Sequence, residues 1–133
     1  MQSNEIAPKP DLRPTAVKKI VAVLRSAAFS LSDEKLLQSQ IETALAKSNI
    51  DFSREHHLDE NDIPDFFFLG AEGGIVLEIK VKGSKRAIHD QCARYCLHEQ
   101  VEELILATNV PLGFPPSIHG KPCYVVNLGL AWL

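Results

Sequence analysis

An acid, a second acid and a lysine stand in a recognisable order: Pro64-Asp65, then twelve intervening residues, then Glu78-Ile79-Lys80. Residues 63–69 and 74–82 read as strands, joined by Gly70-Ala71-Glu72-Gly73. Side-chain alternation puts Glu78 and Lys80 on one face, about 7 Å apart. A four-residue loop pairs Leu69 with Gly74. Four steps back along each strand, the same register sets Asp65 opposite Glu78, with Cβ atoms roughly 5 Å apart. Two carboxylates so close repel each other, and a shared proton, a basic neighbour or a cation must offset that repulsion. Lys80 supplies one positive charge. A hard divalent cation with oxygen ligands, such as Mg²⁺, suits the pair. The chemistry this offers is phosphodiester hydrolysis: the cation polarises a phosphoryl oxygen and lowers the pKa of a bound water. Lys80 then orients the water or stabilises developing negative charge.

The elements that must hold these groups fit one domain of 133 residues. Hydrophobic residues make up 45% and charged residues 23%, the balance of a globular chain. A formal charge of −3 argues against coating nucleic acid by charge alone. No apolar run approaches a membrane span, and the first residues lack the apolar core of a secretory signal. Three cysteines form no disulfide framework, so the expectation is a reducing, intracellular (cytoplasmic) setting. Residues 1–14, with Pro8, Pro10 and Pro14, read as a loose arm. Val17, Ile20, Val21 and Leu24 predict a helix to about residue 28. Ser32 is the expected N-cap of a second helix, with Leu37, Ile41, Ala44 and Leu45 as its buried stripe. A weak strand is expected over 52–58. Ser84 is expected to cap a third helix running to about residue 102, followed by strands at 104–108 and 123–128. The fold class is α/β (α+β in strict usage), a central mixed sheet of four or five strands flanked by helices.

Residues Pro64-Asp65 and Glu78-Ile79-Lys80 resemble the signature of the PD-(D/E)xK nuclease superfamily. Gln91 and Tyr95, four apart and so on one helical face, follow on the next helix. That Q-x-x-x-Y pattern is similar to the RecB-like branch. The resemblance spans residues 32–108 and implies a restriction-endonuclease-like core. It implies that Asp65 and Glu78 bind Mg²⁺ or Mn²⁺, with the Ile79 carbonyl as a further ligand, and that Lys80 is the catalytic lysine. Gln91 and Tyr95 would orient the site or contact the nucleic-acid backbone. The family often adds an acid from the helix before the sheet. Glu34 is the first choice, because it faces the way Leu37 and Ile41 do, with Glu42 in reserve and Glu55 a further candidate.

Lys82, Lys85 and Arg86 form the most basic run and lead away from this site, as phosphate contacts would. Phe66-Phe67-Phe68 alternates across its strand, which packing beneath helices explains. His89, Cys92 and Cys96 share a helical stripe but lack a fourth zinc ligand or a C-x-x-C pair, so the cysteines read as small apolar residues. His56 and His57 point to opposite faces and suggest no dyad. The expected function is a Mg²⁺- or Mn²⁺-dependent nuclease acting on DNA, with a homodimer or a partner completing the substrate groove. The alternative is a non-catalytic nucleic-acid-binding or assembly module on the same fold.

Overall fold

Apolar periodicity sorts the chain into three helices and six strands in a computed structural model that describes residues 15–26 and 28–129. In chain order these are α1 (Ala16–Ser26), α2 (Glu34–Lys47), β1 (Ser53–Arg54), β2 (Phe66–Leu69) and β3 (Gly74–Lys80). α3 (Lys85–Tyr95), β4 (Val101–Thr108), β5 (Ser117–Ile118) and β6 (Lys121–Asn127) follow. The arm expected at 1–14 and the apolar end at 130–133 lie outside the described residues. No helix among them is long and apolar enough to cross a membrane.

The sheet is mixed and open, in the order β1-β2-β3-β4-β6-β5. β2 and β3 form an antiparallel hairpin with Leu69 opposite Gly74 and Phe66 opposite Leu77. β3, β4 and β6 run parallel, so helix α3 serves as the crossover from β3 to β4. Strand alternation divides the core into two layers. Phe66, Phe68, Ile75, Leu77 and Ile79 face α1 and α2, meeting Ile20, Leu24, Leu37, Ile41 and Leu45. Phe67, Val76, Leu104 and Leu106 face α3, meeting Ile88, Cys92 and Tyr95. The phenylalanine run therefore packs beneath helices on both faces, as its alternation suggested.

Several boundaries differ from the sequence expectation, each for a local reason. The third helix stops at Tyr95, well short of residue 102, and β4 begins at Val101. Tight turns at residues 94–101 reverse the chain and deliver Val101, fully buried, beside Gly74. Gly74 is required there: its N–H donates to the Gln100 carbonyl. A Cβ would come within 2.3 Å of both that oxygen and the Phe67 ring. The strand expected over 52–58 shrinks to Ser53–Arg54, because Glu55 adopts a left-handed φ of 49° and ends the pairing. The cap of α2 is Asp33, not Ser32; its carboxylate accepts from the Lys35 and Leu36 amides, and Ser32 instead meets the Ser30 hydroxyl. The strand count is six, because residues 117–118, which follow Pro115-Pro116, pair with the start of β6.

Candidate active site

The antiparallel ladder ends at Phe66, and the next residue back, Asp65, turns its side chain into the position a further rung would occupy. Its Oδ2 accepts the Ile79 amide at 2.8 Å, and its own N–H donates to Glu78 Oε1 at 3.2 Å. The register inferred from the loop length thus places the two acids against one another at the Lys80 end of β3. Lys80 follows Glu78 by two residues and shares its face, with Nζ 3.3 Å from Glu78 Oε2. The Lys80 carbonyl is fixed by the Thr108 hydroxyl on the neighbouring strand.

Both helical layers reach this strand end. From α2, the first-turn residue Glu34 accepts the Val81 amide on Oε1 at 3.3 Å. One turn on, Gln38 donates from Nε2 to Asp65 Oδ1 at 3.2 Å. From α3, the Tyr95 hydroxyl lies 3.2 Å from Glu78 Oε1 and 3.4 Å from the Ile63 carbonyl. It has a single proton to give, and the carboxylate is the stronger acceptor. Gln91 Nε2 donates to the same hydroxyl at 2.9 Å, so the four-residue spacing does put the two side chains in contact.

The electrostatics follow from burial and crowding. Burial pushes the Glu78 carboxyl, only 3% exposed, up to about 7; the Asp65 charge adds to this and Lys80 opposes it. Burial likewise raises Asp65 to about 6, against the Ile79 amide and Lys80, with Glu34 adding repulsion. The Tyr95 phenol is pushed up by burial and by Glu78, so it stays a neutral donor. Three carboxylates thus crowd together beside one nearby ammonium. The donor set is all oxygen: the carboxylates of Asp65, Glu78 and Glu34. The Ile79 carbonyl adds to it, because a residue's N–H and C=O point the same way from a strand. Such a set fits a hard divalent cation, which relieves the repulsion.

Asp65, Glu78, Lys80, Glu34, Gln91, Tyr95 and Ile79 therefore converge. The reserve acids do not join them. Glu42 pairs with Arg54 at 2.9 Å, and Glu55 is exposed on its left-handed turn. Lys82, just past the end of β3, and Lys85 and Arg86, the first two residues of α3, are all exposed. Sequence reasoning missed Gln38 and Arg54. The available signal was the spacing of Glu34, Gln38 and Glu42, one helical turn apart each time.

Other clusters lie elsewhere. Asp59, Asp62 and His98 bring ligand atoms within 4.8 Å of one another and could hold a metal. Asp62 is already met by Arg94 at 3.2 Å and His98 at 2.9 Å, and Asp59 Oδ1 by the Asn61 and Asp62 amides. The cysteines are free and buried, and His89 sits instead against Asp90 and Phe114. His56 stacks on Phe67 and bonds Gln100, while His57 is exposed, so neither enters the site. A groove of about 610 Å³, lined by Ile20, Phe68, Ile75, Glu72, Glu102 and others, opens at the Gly74 end of β3, far from Lys80. Comparison with known protein families, with curated proteins and with solved structures finds no match.

Proposed function

We propose that this chain is a metal-dependent nuclease of the PD-(D/E)xK type, with a restriction-endonuclease-like core, hydrolysing phosphodiester bonds in DNA. The observation that carries the reading is the convergence of Asp65, Glu78 and Lys80, with Glu34 and the Ile79 carbonyl, at one strand end. Four separate segments of the chain supply that cluster with Gln91 and Tyr95. A salt-bridged surface pair would explain Lys80 and Glu78. It would not explain a Glu78 that is 3% exposed and bonded from three sides.

Asp65, Glu78, Glu34 and the Ile79 carbonyl would hold Mg²⁺ or Mn²⁺. Bound there, the cation supplies Lewis acidity toward the scissile phosphate. Tyr95, supported by Gln91, holds Glu78 Oε1 by a hydrogen bond, which fixes the carboxylate plane. Lys80, with its side chain 24% exposed, reaches solvent beside the acid cluster. There its ammonium orients the attacking water and neutralises charge that develops on the phosphate. Lys82, Lys85 and Arg86, all exposed, would contact backbone phosphates of the bound strand.

The test is a cleavage assay on single-stranded, double-stranded and branched DNA and on RNA, each with Mg²⁺, Mn²⁺ or EDTA. Metal-dependent cleavage that Lys80→Ala abolishes is the expected outcome. Folded protein that binds DNA with a strong salt dependence, indifferent to metal and cleaving nothing, would favour the non-catalytic binding module instead.

A further inference from the structure

We propose that Gln38, held in a single amide orientation by Arg54, is a positioning residue for the Asp65 carboxylate; the inference rests on the metal-site reading above. An amide side chain can present either its oxygen or its nitrogen to a neighbour, and its surroundings decide which. Arginine can only donate. Arg54 Nη2 lies 3.0 Å from Gln38 Oε1, so the oxygen must face Arg54 and the NH₂ must face Asp65. Arg54 is itself fixed on three sides. Its Nε donates to the Asp65 carbonyl at 3.2 Å, its Nη1 to Glu42 at 2.9 Å, and its guanidinium lies 4.6 Å over the Phe66 ring.

The consequence falls on Asp65. One oxygen takes the Ile79 amide and the other takes Gln38, so the plane of the carboxylate is set from both ends. Its remaining lone pairs are then left for a cation shared with Glu78 and Glu34. Arg54 also lowers the cost of keeping Asp65 ionised in a buried setting. Without Gln38, Oδ1 is free to rotate towards Arg54 or solvent, and the ligand geometry loosens. Partners of this kind, one step removed from a metal, commonly change its affinity ten- to a hundredfold.

The experiment is calorimetric titration of the full chain with Mn²⁺ at pH 8, for wild type, Gln38→Met, Arg54→Met, the double variant and Asp65→Asn. Methionine keeps the length and helix preference of glutamine but cannot donate. The expected result is a Mn²⁺ dissociation constant raised on the order of tenfold or more in Gln38→Met, while its melting temperature stays near that of wild type. Arg54→Met should weaken binding in the same direction. The double variant should be less damaging than two independent losses, because the part of Arg54's effect that runs through Gln38 is lost only once. Gln38→Met binding Mn²⁺ as tightly as wild type, with Asp65→Asn binding none, would overturn the positioning role alone. Additive losses would overturn the coupling to Arg54. Wild type that binds no Mn²⁺, or binds it equally well as Asp65→Asn, would remove the metal site and this inference with it.

Discussion

Replacing Glu78 by glutamine should make the metal-free protein more stable at alkaline pH, and the gain should vanish in acid. With its carboxyl raised from 4.5 to about 7, ionising Glu78 costs about 3 kcal/mol more in the folded chain than in the unfolded one. A raised acid contributes stability that is fully present below its unfolded value. That contribution is lost as pH climbs through the folded value. Wild type should therefore lose stability relative to Glu78→Gln between about pH 4.5 and pH 8. Glutamine keeps an oxygen for the Asp65 amide and the Tyr95 hydroxyl, and the partly exposed Lys80 can turn to water. The full difference is an upper bound, since the loss of the Lys80 pair subtracts from it. For a domain of this size about 3 kcal/mol corresponds to a melting-temperature gap on the order of 10 °C. Circular-dichroism melts of both proteins in EDTA, from pH 4 to pH 8.5, measure the gap directly. Taking the difference cancels the titrating groups remote from Glu78, leaving Glu78 together with its neighbours Asp65 and Lys80. Mn²⁺ at pH 8 should close the gap by stabilising wild type alone. Melting curves that stay parallel across the whole range would refute the buried, mutually repelling acid pair.

Three further outcomes are expected. Tyr95→Phe removes the donor to Glu78 Oε1 and should cost about 1–3 kcal/mol in urea denaturation, with the larger loss at high pH where Glu78 is ionised. Gly74→Ala drives a Cβ into the Gln100 carbonyl and the Phe67 ring, and the same denaturation should show about 1–3 kcal/mol lost or more. Burial pushes the Cys92 thiol up to about 12, so peptide mass mapping should find it unalkylated in native protein at pH 8 and alkylated in urea.

The parts of the fold that sequence revealed are those governed by local rules. The β2–β3 hairpin register followed from a four-residue loop and side-chain alternation, and α2 from its apolar stripe. Ser84 caps α3 as its chemistry suggested. Glu34 could be nominated from the helical face it shares with Leu37, and it does meet the end of β3. What stayed hidden depends on tertiary contact. The end of α3 is set by where β4 must start, and polar residues 98–100 carry no signal of that turn. Arg54 sits on a two-residue strand, and only the packed sheet brings its guanidinium to Gln38 and Phe66. Gln38 carries no sequence mark that separates it from the other polar residues of α2. Its role emerges only once Asp65 stands beneath it.

The Asp65 side chain does a backbone's work. It caps the Ile79 amide where β2 would otherwise have supplied a carbonyl, so the sheet and the acid cluster share one residue. Evolutionary drift at this position is therefore constrained twice. Whatever the acid cluster does, the strand would still need an acceptor there, and asparagine is the neutral replacement, whereas alanine would leave a strand amide without a partner. A descendant that lost the charge at this position could thus retain the strand pairing intact, with an asparagine in place of the acid as the visible trace of that history.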